Sequence, residues 1–369
     1  MHTTQIIILA GGFGERLWPG FDSFIPKQFV KFLGQASSFQ NTLLRNSDLG
    51  SLTVMLSKQN IDIAREQMLE IGVTADIIVE PDNKSTAPCA IIAALYAKEK
   101  FAENVILLPV DHYIRKKRNY IESLNDATKF ANKHNIVTLG IKPNCPNVSY
   151  GYLKVGERKA GGYCMIDSFV EKPNLHDATL YIADSNYYWN SGIFVFKPDS
   201  MIGFAKKLQP DMYYRSLQAF NKSAKREHML MLDADSYKKI KANSIDYAFM
   251  EKKVDITMRA ADFIWKDIGT WESVWEVYPK DLLNNVIKPS DNLYIDNVSG
   301  SLIHADQKPT AIMGVKDLVV VDTKKSLLVM DKRESSKIRK ARNYLKASFL
   351  LRMFLTASAI WWVFNGSTR

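Results

Sequence analysis

Hydrophobic positions fall in two textures along the chain. Residues 5–10 form an apolar run of strand length that stops at Gly11, Gly12 and Gly14. A run without polar alternation predicts a strand buried on both faces, as in a parallel sheet. Residues 52–56, 76–79, 105–108 and 136–139 repeat the texture, and stretches at helical spacing separate them (61–71, 89–101, 120–133). Strand alternating with helix predicts an α/β fold, a mostly parallel, doubly wound sheet flanked by helices. After Gly140 the alternation loosens. An edge strand is expected at 150–155, a strand at 166–170 and a turn into a strand over 187–194. Helical segments are expected through much of 199–231, a strand at 254–258, and a helix opened by 265–271 and running to 278. From 291 to 331 short β runs follow one another without helices (293–295, 301–303, 311–313, 318–321, 327–330), which predicts a small all-β module. The expected division is 1–285, 286–331, and a basic helix with an apolar tail at 332–369.

Composition changes this picture little. The 369 residues are 46% hydrophobic and 24% charged, an ordinary globular balance with ample core. The net charge of +10 suggests nucleic acid until it is located. Residues 332–369 hold nine Lys/Arg against one Glu, so the rest of the chain is near balance and no nucleic-acid partner is expected. Three widely spaced cysteines without a Cys-x-x-Cys point to a reduced, cytoplasmic protein with no cysteine zinc site. The N-terminus opens on a strand and a glycine loop, and is read as neither signal peptide nor anchor.

The glycine loop is the first candidate for chemistry. Gly11, Gly12 and Gly14 leave no Cβ between backbone and ligand, and converging N–H groups in such a turn can hold phosphate oxygens. Arg16 and Lys27 place two cations just beyond it. A Walker loop is absent, and the dinucleotide fingerprint fails because Leu17 stands where its third glycine belongs. The loop after the first strand, Glu80 and Asp111 all follow predicted strands, at the edge where doubly wound sheets bind ligands. Taken alone, Asp111 serves equally well as a helix cap, and Asp267 as an N-cap before Thr270.

Seven blocks in order resemble the mannose-1-phosphate guanylyltransferase branch of the sugar nucleotidyltransferases. They are the glycine loop with Leu17-Trp18-Pro19, Pro26-Lys27-Gln28-Phe29, Glu80-Pro81 with Thr86-Ala87-Pro88, Asp111-His112, Tyr150-Gly151-Tyr152, Glu171-Lys172-Pro173 with Trp189-Asn190-Ser191-Gly192, and Trp265 to Trp271. The resemblance covers roughly residues 4 to 330. It implies a Rossmann-like nucleotidyltransferase fold and the joining of GTP to mannose 1-phosphate, giving GDP-mannose and pyrophosphate. The sugar phosphate would attack the α-phosphorus directly, so catalysis is positioning and charge neutralisation. By this resemblance Arg16 and Lys27 form the catalytic cation clamp. Leu9, Gly11, Gly12, Gly14, Glu80, Thr86, Ala87 and Asp111 bind nucleotide. Gly151, Glu171, Lys172 and Asn190 bind the sugar phosphate. Asp111 and Asp267 hold Mg²⁺, which takes one or two carboxylates and completes its octahedron with phosphate oxygens and water.

The resemblance also implies that 291–331 is a short left-handed β-helix of the kind used for dimer contacts, hence a homodimer. Lys84-Ser85 replaces the usual Arg-Asn before Thr86, and Pro109-Val110 precedes Asp111 in place of a small residue, which puts guanine selectivity in question. The chain stops before the cupin-type isomerase domain of longer relatives. Transfer to another sugar, such as glucose 1-phosphate, is the enzymatic alternative. A silent regulatory paralogue is the other, opposed by the retention of Arg16, Lys27, Asp111 and Asp267. The tail has no counterpart in the resemblance. Lys332, Arg333, Lys337, Arg339, Lys340, Arg342 and Lys346 precede the apolar, Trp-rich stretch 349–364. Weak contact with a membrane surface is one reading. A docked helix or an unselected terminus is preferred, and 16 residues broken by Arg352 fall short of the roughly 20 that span a bilayer.

Overall fold

The structure, a computed structural model, describes residues 3–12, 15–20, 25–32, 34–131, 136–159, 162–252, 256–305, 307–345 and 347. Gly14 and the apolar stretch 349–364 lie outside the described residues. Contacts group the chain into two compact units. The first draws on 1–12 and 35–267, the second on 13–34 and 268–369.

In the first unit β1 (Thr4–Leu9), β2 (Ser51–Ser57), β3 (Asp76–Glu80) and β4 (Asn104–Pro109) pair in parallel, in the order β3-β2-β1-β4. Ile6, Ile7 and Ile8 are wholly buried. Burying each is worth about 1.5–3 kcal/mol, which fixes the apolar run at the sheet's centre. Between the strands lie α1 (Ser38–Asn46), α2 (Ile61–Glu70) and α3 (Thr86–Glu99). Ser37 and Gln40 close a capping box at the start of α1. Helix α3 is apolar on every side, a pattern that only a buried helix tolerates, and Ala87 through Ala97 are all buried.

The sheet continues through β5 (His112–Arg115), which leaves it, then α4 (Lys117–Ala131), β6 (Ile136–Ile141), β7 (Gly151–Lys159), β8 (Tyr163–Glu171) and α5 (Leu175–Ala183). Strand β9 (Tyr187–Phe196) follows, then α6 (Pro198–Leu208), α7 (Pro210–Asn221), β10 (Ala224–Arg226) and β11 (Met229–Met231). Short helices α8 (Ala234–Lys238) and α9 (Ile245–Ala248) lead to β12 (Ile256–Ala260) and β13 (Ile264–Asp267). The full order is β10-β11-β3-β2-β1-β4-β9-β6-β12-β8-β7. Only β8, β9 and β10 run against the rest, so the expected α/β class with a mostly parallel sheet is what forms.

Three local expectations differ. Residues 187–194 belong wholly to β9, with Gly192 at φ +73 inside it. Residues 224–231, read as part of a helical region, form the β10–β11 hairpin. Its first strand is fully exposed Ala-Lys-Arg without strand patterning, and β11 is held by its pairing with β3. Residues 264–267 are strand β13, which pairs antiparallel with β5, placing Asp267 opposite His112.

In the second unit α10 (Trp271–Val277) starts at a Thr270–Ser273 capping box. Short parallel strands then stack: β14 (Val286–Ile287) on β16 (Leu302–Ala305) on β18 (Leu318–Asp322), and β15 (Leu293–Asp296) on β17 (Thr310–Met313). Val298, Ile303, Ala305, Ile312 and Val320 form their core, the coil of a β-helix, and β19 (Leu327–Asp331) closes it antiparallel to β18.

Residues 332–337 form a 3-10 turn and 338–345 are helical. Cations at the start of the tail are already paired. Lys332 meets Asp317 at 2.8 Å and stacks 3.5 Å from the Trp275 ring centre; Arg333 pairs with Asp331 and Lys337 with Glu334. Each pair removes charge that an anionic surface would attract. Among the described residues no helix is long and apolar enough to cross a membrane.

Candidate functional site

The parallel registers set Leu9 beside Met55 and Pro109, so Gly11, Glu80 and Asp111 lie at one edge of the sheet, beyond its carboxyl ends. The loop is anchored by its backbone: Ala10 N–H donates to Met55 O (2.8 Å) and Val110 N–H to Leu9 O (3.2 Å). Half-buried Leu9 packs on the core. Gly12 is exposed, with nothing within 4 Å of where a Cβ would stand.

Gly11 has a specific neighbour. A Cβ there would come 3.2 Å from Oε2 of Glu80, whose carboxyl is buried beneath the loop. Glu80 accepts a hydrogen bond from the Tyr237 hydroxyl (2.5 Å) and one from Cys89 Sγ (3.1 Å). Burial pushes the Glu80 carboxyl up, and the two hydrogen bonds hold it back only in part. Its hydrogen-bond partners are the uncharged side chains of Tyr237 and Cys89, which hold Glu80 in place below the loop. Thr86 and Ala87 open α3 and are tied to the first residue of α9 and to the chain just before it. Thr86 Oγ1 accepts from Ile245 N–H (2.9 Å), and Ala87 N–H donates to Asn243 O (3.1 Å). Lys84 is ion-paired to Asp82 (3.0 Å), and Ser85 takes φ +66.

Asp111 sits in the turn between β4 and β5, and Asp267 ends β13. The β5–β13 register opposes Asp267 to His112, the residue after Asp111, so one ribbon brings the backbone of Asp267 next to the turn that carries Asp111. Neither is a helix cap: Thr270 caps α10, and β5 follows Asp111. Two half-buried carboxylates suit the Mg²⁺ donor count. Among the described residues no group of three or more His, Cys, Asp or Glu joins them, so further donors would come from phosphate and water.

A second cluster forms where β7, β8 and β9 pair. Gly151 opposes Glu171, and a Cβ on Gly151 would stand 2.6 Å from Glu171 Oε2 and 2.7 Å from the Phe169 ring. Lys172, at φ +50, is exposed and its ammonium pairs with the Glu171 carboxylate. Asn190 accepts from Thr138 Oγ1 (3.0 Å) and donates to Asp246 Oδ1 (2.8 Å). The sequence assigns Asp246 no role. Burial and then the Glu171 charge push its carboxyl up to about 6. A lone acid on a short helix, 56 residues from its partner, leaves no local signal. Tyr237, which holds Glu80 from 157 residues away, was missed for the same reason.

In the second unit Arg16 lies half-buried in a 3-10 turn (Glu15–Leu17), and Lys27 opens another (Lys27–Phe29). Lys27 Nζ donates to Ile268 O (2.9 Å), the residue that follows Asp267 in the chain. Fully buried Trp271 anchors this segment. Its indole donates to Trp18 O (3.0 Å), and Phe32 meets it edge-on. A Cβ on Gly20 would stand 2.5 Å from its ring. The Trp265–Trp271 block thus supplies an acid suited to a metal to one unit and an anchor for the Arg16–Lys27 segment to the other.

Comparison with known proteins gives the family and agrees with the fold. Residues 5–284 match the nucleotidyl transferase family, and 292–343 match the MannoseP isomerase/GMP-like beta-helix domain. A mannose-1-phosphate guanylyltransferase of Escherichia coli is 34% identical over 347 residues, 92% of this chain and 73% of that protein. One from Salmonella montevideo is 36% identical over 332 residues, 88% of this chain and 70% of that protein. The crystal structure of mannose-1-phosphate geranyltransferase from Thermus thermophilus superposes with a TM-score of 0.82 at 27% identity, covering 94% of this chain and all of that one. The chain is thus a nucleotidyltransferase belonging to the mannose-1-phosphate guanylyltransferase family.

Proposed function

We infer that the protein transfers GMP from GTP to mannose 1-phosphate, releasing pyrophosphate and forming GDP-mannose. The observation that supports the reading is the β5–β13 register, which pairs Asp267 with His112, the residue after Asp111, past the end of β4 and next to β1, whose end carries the glycine loop. A phosphate oxygen of the sugar attacks the α-phosphorus; the new P–O bond forms as the bond to pyrophosphate breaks, and no residue is covalently modified. The site must hold two anions in line and offset their charge. In this reading the backbone at Gly11, Gly12 and Gly14 receives phosphates, and Leu9, Glu80, Thr86 and Ala87 shape the nucleotide side. Arg16 and Lys27 offset phosphate charge. Gly151, Glu171, Lys172 and Asn190 receive mannose 1-phosphate, with Lys172 a point charge for its phosphate. Asp111 and Asp267 would hold Mg²⁺, which supplies charge neutralisation at the phosphates.

Residues 1–285 are the transferase part of this reading and 286–331 its β-helix, with 332–369 outside it. A homodimer built on the β-helix is supported by exposed Tyr294, Met313, Leu327 and Val329. A cytoplasmic setting is supported by Cys89, Cys145 and Cys164, none of which forms a disulfide.

The test is pyrophosphate release from each NTP with mannose 1-phosphate or glucose 1-phosphate. GTP with mannose 1-phosphate is expected to turn over fastest; equal or faster turnover of UTP or dTTP with glucose 1-phosphate removes the reading. Asp267→Asn and Asp111→Asn are each expected to lower kcat by about 10³-fold, roughly 4 kcal/mol. Full activity in either variant removes that carboxylate from the site.

A further inference from the structure

We propose that Asp246 is a positioning residue of the sugar subsite: its carboxylate fixes which way the Asn190 amide points, so that Asn190 offers the sugar one N–H donor. The proposal rests on the reading of Asn190 as a sugar-binding residue.

A side-chain amide has two acceptor lone pairs and two donor hydrogens. Asn190 Oδ1 faces Thr138 Oγ1 at 3.0 Å and the Gly192 N–H at 3.3 Å, and the one proton of the Thr138 hydroxyl is shared between Oδ1 and Ile193 O. One Nδ2 hydrogen goes to Asp246 Oδ1 at 2.8 Å, which leaves one hydrogen. The direction of an amide is assigned from its partners, so the partner that tolerates one orientation only is decisive. Thr138 is not that partner. Its hydroxyl also reaches Ile193 O at 3.1 Å, and a hydroxyl can accept as readily as donate. The Gly192 contact is long. An ionised carboxylate only accepts, and turning the amide over would set oxygen against oxygen at Asp246. The ionised carboxylate therefore fixes the amide.

The surroundings make this hold conditional on pH. Asp246 is half-buried on α9, and the charged groups facing it are Glu171 and Lys172 at the end of β8. Ser244, which caps α9, and Thr86 of α3, which takes the Ile245 N–H, are neutral. Glu251 and Lys252, in the turn after α9, are exposed. Burial first and Glu171 second raise the Asp246 carboxyl to about 6, with Lys172 and Ser244 opposing. Once protonated, Asp246 can donate as well as accept, so either face of the Asn190 amide satisfies it. Donation to a sugar oxygen then competes with the reversed amide, and sugar recognition weakens as pH falls through about 6. A phosphate monoester takes up its own proton near pH 6. The ratio of wild type to variant is therefore what reports Asp246.

Two measurements on the full-length chain test this. The Asn190 side-chain amide resonances of ¹⁵N-labelled protein are expected to titrate with a midpoint near 6 and to stay flat in Asp246→Asn. That readout needs no substrate. In steady state, Asp246→Asn is expected to raise KM for mannose 1-phosphate about tenfold at pH 7.5, with KM for GTP and kcat within about threefold. Asn190→Ala combined with Asp246→Asn is expected to be no worse than Asn190→Ala alone, because Asp246 acts through Asn190. A flat Asn190 resonance in wild type, an unchanged sugar-phosphate KM in Asp246→Asn, or additive effects in the double variant each overturn the proposal. Absence of wild-type turnover with mannose 1-phosphate would instead sink the functional reading, and the amide titration would still decide the Asp246–Asn190 contact.

Discussion

Two glycine–glutamate pairs, Gly11 with Glu80 and Gly151 with Glu171, are placed alike by the fold and differ in physics. In each, a glutamate ends a strand of the main sheet, β3 or β8, and its Oε2 is the nearest atom to where a Cβ on the glycine would stand. Glu80 is buried among neutral groups, Tyr237 and Cys89, and its proton is favoured. Glu171 is paired with the exposed ammonium of Lys172 and raises the carboxyl of Asp246 by its charge. The first pair is a support beneath a loop; the second is part of a charged, reachable surface. A carboxylate at the end of a strand thus says where a site edge is, and its neighbours say what it does there.

The comparison breaks most sharply at Gly151. Gly151→Ala would put a methyl 2.6 Å from Glu171 Oε2 and 2.7 Å from the Phe169 ring, and the buried ring cannot move cheaply. A fall of about 100-fold in kcat/KM for mannose 1-phosphate is expected, roughly 2.7 kcal/mol, read from initial rates at saturating GTP. A loss below threefold would mean that Glu171 is not held where the sugar binds. At Gly11 the contact is 3.2 Å, and a shift of a few tenths of an ångström in Glu80 relieves it. Gly11→Ala is therefore expected to raise KM for GTP only about threefold to tenfold and to leave KM for mannose 1-phosphate alone.

The smallest effect is on stability. A carboxyl raised in the folded state stabilises the fold below its unfolded value and loses that contribution as pH rises through its folded value. Glu80 is raised by burial, so ionising it costs more in the folded protein than in the unfolded chain. Glu80→Gln keeps an acceptor for Tyr237 and removes this dependence. Its Tm is expected to exceed wild type by a few degrees at pH 8, and the gap to close near pH 4. The remaining fall in stability through about pH 6 belongs to Asp246, which is raised as well. A Tm gap independent of pH would show that Glu80 is not the titrating group.

Much of this architecture is legible in sequence because its signals are local. The run at Ile6, Ile7 and Ile8 ends where the strand ends, and α3 is apolar throughout because every face is covered. The short β runs between 293 and 331 each became a strand of the second unit. What stayed hidden depends on pairing across distance. Taken alone, Asp267 serves equally well as a helix cap, and only the resemblance offers it as a metal ligand; that β13 lies along β5 is encoded by no spacing within either segment. The hairpin at 224–231 lacks alternation because its outer strand is solvated and its inner one gains its place from β3. Tyr237 under Glu80 and Asp246 beside Asn190 are ordinary residues in ordinary strings until the sheet brings them together.

The measurement that tests the division of labour most directly is the pair of Michaelis constants in Glu171→Gln and Glu80→Gln, each assayed with GTP and mannose 1-phosphate in turn. Glu171→Gln is expected to raise KM for mannose 1-phosphate at least tenfold with KM for GTP within twofold, and Glu80→Gln to leave both within about threefold. A rise in the GTP constant alone for Glu171→Gln, or a tenfold loss of sugar-phosphate affinity in Glu80→Gln, would contradict the account.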